Sequence, residues 1–230
     1  MKRLTICLLL FASLAFAESY EELIDRAFEA IENDLSTHWS YTHTQEDSEG
    51  IYIGRYDPRL PESGRWRLIS VDGREPTGEE TEDYLDQQAD KRDRESDDDD
   101  NSFESIVKNR SVALIEEADS YWLFSFEPEP DSEDDREFME AVHGTLKVVK
   151  DGHYVALITL QNTDTIKPGK GIKIEEFLTR LEFAPIQDGG PVLPHSVQAT
   201  VKGRAFFVIR IDETETVKFS DFERADDQLE

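Results

Sequence analysis

Over residues 111–219 the chain is written almost entirely in the period of the β-strand. Runs at 111–117, 120–126, 142–150, 153–161, 172–183, 192–201 and 204–219 carry β-branched and aromatic residues at alternating positions. That pattern suits a pleated surface and does not suit a helix. Turn chemistry separates the runs. Asp151-Gly152 reads as a two-residue hairpin turn and Lys202-Gly203 as another tight connection. Residues 162–171, with Pro168 and two glycines, and residues 127–135, with Pro128 and Pro130, read as longer loops. Many short strands joined in sequence imply an antiparallel meander and exclude a helical bundle or a parallel βαβ array.

The N-terminal part adds two helices and three more strands. Ser19 and Glu22 form an S-x-x-E capping box. Behind it Leu23, Ala27, Ala30 and Ile31 recur at helical spacing, and Ile24, Phe28 and Leu35 widen the stripe, so a helix is expected over 19–35. Trp39, Tyr41 and His43 then alternate with Ser40, Thr42 and Thr44, as in a half-buried strand. Further strands are expected at 51–56 and 65–71, the latter ending at Asp72-Gly73. Thr77 and Glu80 open a second helix, with Tyr84, Leu85 and Ala89 among its many charges. It fades into an acidic segment at 90–102, with four aspartates from Asp97 to Asp100, whose self-repulsion predicts a solvated, flexible connector. The expected class is α+β: a large curved antiparallel sheet, an incomplete barrel, with helices over its concave face.

Met1-Lys2-Arg3, an apolar run to Phe16 and the closing Ala15-Phe16-Ala17 have the layout of a secretory signal peptide. Cleavage is expected after Ala17, leaving a single domain, 18–230, in the periplasm. The run is shorter than the about 20 apolar residues that span a bilayer, and no later segment offers a membrane anchor. Ile6 before Cys7 argues against lipidation, so Cys7 leaves with the leader and the mature chain has no thiol chemistry. With 52 acidic and 25 basic residues the formal charge is −27, and losing Lys2 and Arg3 takes it to −29. Such a chain repels nucleic acid and anionic headgroups taken as a whole, and suits a soluble monomer or a cationic partner.

No sequence motif for catalysis is present. There is no nucleophile elbow, P-loop or dinucleotide fingerprint. The histidines, His38, His43, His143, His153 and His195, show no zinc spacing, although His143 and His153 are placed to face each other across a hairpin. A calcium loop starting at Asp97 fails at Ser102 and at Lys108. No cofactor, metal or enzymatic activity is expected. Several strands are apolar on both faces, Tyr121–Phe126 and the stretch 205–209 above all, and the second face needs some other cover. The candidate wall of an apolar ligand cavity is Trp39, Tyr41, Tyr52, Trp66, Trp122, Phe124 and Phe207.

Gly54-Arg55-Tyr56-Asp57-Pro58, the stretch from Arg65 to Gly73 around Trp66, Pro76-Thr77, the segment 201–207 and Phe219-Ser220-Asp221-Phe222 together resemble the LolA/LolB-like superfamily of periplasmic lipoprotein carriers, in an uncharacterised proteobacterial branch. That resemblance implies an incomplete barrel whose helices close an apolar cavity. It also implies a non-enzymatic binding protein that carries a lipid or a lipoprotein acyl chain. The alternatives are an interaction or sensor module of the envelope, whose acidic segment docks a basic envelope protein, and a hydrolase of unknown type. The carriers are less acidic, and 79–102 stands out as an expansion.

Overall fold

The computed structural model describes residues 19–32, 34–97, 107, 112–128, 130, 136–169, 171–206 and 209–225. The leader, Phe207 and residues 98–102 of the acidic segment therefore lie outside the described residues. The strands join into one antiparallel sheet that does not close into a barrel. In chain order they are β1 (Trp39–Glu46), β2 (Ile51–Tyr56), β3 (Trp66–Val71), β4 (Ala113–Glu117), β5 (Tyr121–Phe126), β6 (Val142–Val149), β7 (Tyr154–Asn162), β8 (Ile166–Gly169), β9 (Ile172–Pro185), β10 (Val192–Ala205) and β11 (Ile209–Arg224). Their spatial order is β3-β2-β1-β11-β10-β9-β7-β6-β5-β4, with β8 on β9. The three N-terminal strands thus join the sheet beside the last strand, and β3 and β4 are its edges.

The first capping box forms as the sequence predicts: the Glu22 amide donates to Ser19 Oγ and the Ser19 amide to Glu22. Helix α1 (Tyr20–Glu29) is shorter than expected, however. Ile31 bridges to Val192 and the Glu32 amide donates to the Val192 carbonyl at 3.0 Å, which pulls the chain onto the sheet. Asp34 then caps a short α2 (Leu35–His38). The apolar stripe of α1 lies in the main core. There Leu23, Ile24, Ala27 and Phe28 meet Phe124 and Phe126 of β5, Leu146 and Val148 of β6, Val155 and Ile158 of β7, and Leu181 and Phe183 of β9. This space is filled by the protein's own side chains, several of them fully buried.

The second helix, α3 (Gly78–Asp97), runs on through residues 90–97, where the sequence implied a fading end. Its capping box is complete, with the Thr77 amide donating to Glu80 at 2.8 Å and the Glu80 amide to Thr77 Oγ1 at 3.3 Å. A last short helix, α4 (Arg136–Met139), precedes β6.

Three connections and one pair of histidines differ from the sequence expectation. The turn at Asp151-Gly152 has four residues, because Val149 pairs with Tyr154. The expected loop at 162–171 contains β8. Lys202-Gly203 lies inside β10, and the chain reverses later, at Phe206. Gly203 serves a close approach instead, since a Cβ there would stand 2.1 Å from the Lys173 carbonyl oxygen at a bulge in the β9–β10 pairing. Finally, His143 pairs with Gln161, whereas His153 sits in the turn at the far end of that hairpin and bonds the Leu23 carbonyl at 3.1 Å. The two histidines do not meet.

Candidate functional site

On β1, residues 41, 43 and 45 face one side of the sheet, and pairing sets Tyr56, Gly54 and Tyr52 of β2 beside them. β3 adds Trp66, Leu68 and Val71 to the same face. α3 lies over this part of the sheet and inserts Tyr84. The phenol oxygen shares a 3.1 Å hydrogen bond with His43 Nε2. It sits directly over Gly54, where a Cβ would lie 2.1 Å from it. Only glycine leaves room for this seat. The Trp66 ring is 5.2 Å from His43 and 6.4 Å from Tyr84.

Burial, reinforced by the Lys91 ammonium, pulls the His43 imidazole down from 6.5 to about 4, and burial pushes the Tyr84 phenol up. A neutral imidazole bonded to a neutral phenol ties α3 to the sheet. The linkage has a definite sign. The unfolded chain binds a proton at His43 below about pH 6.5, whereas the folded chain resists it down to about 4. This contribution is therefore full above pH 6.5, falls as the pH drops through that window, and is gone below 4. Its size is on the order of 2–3 kcal/mol. Chemical denaturation between pH 7 and pH 4 should show that loss, and His43→Gln should flatten it. An unchanged slope in the variant would remove His43 as the cause.

At the outer margin of α3 a small cleft of about 100 Å³ opens between helix and sheet, lined by Gln45, Asp47, Glu49, Tyr52, Glu80, Asp83, Tyr84 and Gln87. Four of these are carboxylates. Glu80 is held well below its usual range, at about 2, by Arg74 and the Thr77 amide. The Tyr52 phenol is pushed up by desolvation and then by Asp47, Glu49, Asp72 and Glu80. The field in this cleft is negative and favours a cation.

A more open groove of about 510 Å³ lies elsewhere on the sheet, between Trp39, Phe222, Ile186 and Pro191, with Arg59 and Arg224 on its rim. The Trp39 indole N–H is buried there and has no hydrogen-bond partner among the described residues. On the face of β1 opposite Tyr41, the buried Ser40 hydroxyl accepts from Arg55 at 3.2 Å and from Arg59 at 3.4 Å. Both guanidinium groups also pair with Glu223.

The structure gathers four of the seven expected wall residues in this region. Tyr41 lies 6.1 Å from Trp66 and 5.4 Å from Tyr56, Trp39 packs on Phe222, and Tyr52 lines the acidic cleft. Trp122 and Phe124 belong to the main core, on β5, so the set does not form one wall. Phe207 lies outside the described residues. Gly54, Tyr56, Trp66, Thr77, Phe219 and Phe222 lie around the α3 seat or the adjoining aromatic cluster, whereas residues 201–205 lie at the far end of β10. Sequence reasoning does not single out Asp47, Glu49 or Asp83 as site residues, since acids occur along the whole chain, and it marks Glu80 only as a helix cap. The spacing of Tyr84 from the Thr77 cap was visible, but its partner 41 residues away was not.

Among the described residues, no three His, Cys, Asp or Glu side chains gather as a metal site. No described helix is long and apolar enough to cross a membrane. No family model and no curated protein matches this chain. Among solved structures the chain is similar to MucB, as seen in the crystal structure of MucB in complex with MucA(peri), at 13% identity over 88% of this chain and 94% of that one, with a TM-score of 0.26.

Proposed function

We propose that this chain is an exported, non-catalytic binding module of LolA/LolB-like type that takes a cationic segment of a protein partner into the cleft beside α3. The carrying observation is the convergence of Asp47, Glu49, Glu80 and Asp83 around the rings of Tyr52 and Tyr84. Carboxylates supply the charge, and a tyrosine face adds attraction for an ammonium or guanidinium group. The neutral His43–Tyr84 pair fits the same reading, because it fixes the helix wall of the cleft rather than activating a nucleophile.

A chain this acidic attracts any polycation weakly, so the test compares sites. Titration with an Arg/Lys-rich peptide should show binding that weakens roughly threefold to tenfold in the Glu49→Gln, Asp83→Asn double variant. Glu116→Gln with Glu137→Gln, remote acids of equal charge, should leave it nearly unchanged. Equal weakening by both pairs would reduce the cleft to one part of a diffuse field.

The groove at Trp39 supports a second reading, an acyl-chain site. It combines an apolar floor of Trp39, Ile186, Pro191 and Phe222 with Arg224 and with Arg59, which pairs with Asp57 and Glu223. Native mass spectrometry of the gently purified chain, before and after organic extraction, decides it: a lipid lost on extraction supports this reading, and a clean mass that stays unchanged after incubation with lipid opposes it.

A further inference from the structure

The charge of this chain is unevenly placed. β10 and β11 run on past the end of β1, whose last residue Glu46 pairs with Thr216. Beyond that point β11 continues seven residues to Ile209, about 23 Å at strand spacing, paired with β10, which pairs in turn with β9. The described residues at the end of this arm and on β8 beside it, 166–169, 171–174, 202–206 and 209–211, hold five cations and no acid.

The arrangement at the tip is ordered. Lys173 pairs with Arg204 and Arg204 with Arg210, so three cations stand side by side across three strands. Like charges directly opposite one another oppose strand pairing. The next row outward is Ile172, Ala205 and Ile209, whose side chains point to the other face. That apolar face starts in the main core at Ile166 and Ile174 and ends in the open, with Ile172 38%, Ile209 56% and Phe206 66% exposed. Phe206 directly follows the last residue of β10. Its φ of 50° is unusual for a bulky side chain. Its amide donates to the Gly171 carbonyl at 2.5 Å, and its ring lies over Gly171. Acids return only behind the tip, where Glu175 pairs with Lys173 and Asp212 with Arg210 in exposed ion pairs. Such pairs are weak and exchange readily for another anion.

We propose that the end of the β9–β10–β11 arm docks on an anionic phospholipid surface, with Phe206, Ile209 and Ile172 entering the interface and Lys173, Arg204 and Arg210 meeting phosphates. An apolar tip backed by a row of cations is what such an interface binds: aromatic and aliphatic side chains at the acyl boundary, long basic side chains at the headgroups. Glu175, Glu176 and Asp212 on the same arm pair with Lys173, Lys202 and Arg210, and headgroup phosphates compete with these exposed carboxylates for the cations. This contact is separate from the cleft beside α3 and does not depend on it.

The test is cosedimentation of the chain with phosphatidylcholine vesicles, with and without phosphatidylglycerol. Binding is expected only with phosphatidylglycerol and should fall as salt rises. Phe206→Asn with Ile209→Ser should weaken it at least about tenfold; asparagine tolerates the left-handed backbone, so the turn is kept. Lys173→Gln with Arg204→Gln and Arg210→Gln should weaken it roughly 100-fold. Ile115→Ser, at another exposed isoleucine, should change nothing. Unchanged melting temperatures exclude misfolding of the variants. Absence of binding to phosphatidylglycerol vesicles, or equal binding by the tip variants, overturns the proposal. So does self-association in sedimentation velocity that disappears in Phe206→Asn without any vesicle binding, since the tip would then serve a second copy of the chain.

Discussion

Tyr84→Ala is expected to release α3 from the sheet while the main core stays folded. The Tyr84 side chain is the buried aromatic of that helix, packed with Leu68, Val71 and Trp66 and bonded to His43. Removing a buried aromatic costs about 3–5 kcal/mol, and here His43 also loses its partner. Among the described residues of α3 the only other buried side chain is Gln88, and most of the rest are exposed and charged. The main core uses other residues, from α1 and β5 to β10. The loss is therefore local. Hydrogen exchange should show the α3 amides opening while those of β6 and β7 keep their protection. Tyr84→Phe, which keeps the ring, should give a much smaller effect. Equal loss of protection in β6 and β7 would show that the two regions are one cooperative unit.

Gly144→Val should destabilise the whole domain, although valine is the better strand former by propensity. Gly144 pairs with Phe126, and the Phe126 ring folds across it: a Cβ at 144 would lie 2.2, 2.3 and 2.5 Å from three ring carbons. That ring is buried beside α1 and cannot swing away. Overpacking at such a site costs about 3 kcal/mol or more. Phe126→Ala alone costs a similar amount through the cavity it leaves, but combined with Gly144→Val the new methyls enter the vacated space. Denaturant unfolding should find the double variant more stable than the sum of the two single losses by about 1–3 kcal/mol. Additivity within about 0.5 kcal/mol would mean the glycine and the ring do not compete for volume.

Both predictions concern contacts that strand period alone does not reveal. The period marked residues 41 and 43 as one face of a strand, yet it could not say that the Tyr84 phenol would occupy the space above Gly54. The candidate wall residues show the same limit. Tyr41, Tyr52 and Trp66 share one face because β1, β2 and β3 are hairpin neighbours, and Trp39 adjoins Tyr41 through Phe222. Trp122 and Phe124 share their chemistry but sit on a strand far across the sheet.

What the sequence determined by itself is local. Both S-x-x-E boxes form as read, since each residue reaches a backbone amide three positions away. Asp72 and Gly73 take the left-handed angles, φ 48° and 74°, that a two-residue turn needs, and β2 runs over the expected six residues. Alternation placed most other strands within a few residues of their observed limits. Only the tertiary structure decided the rest. The pairing of β1 with β11 joins residues 170 or more positions apart and creates the aromatic cluster. A bulge turned Gly203 from an expected turn into a strand residue and moved the reversal to Phe206. The acidic cleft and the cationic tip follow from the same cause. Strand period and turn chemistry are set by neighbours in the chain, whereas which charges share a surface is set by register between strands, and register is fixed only when a common core is buried.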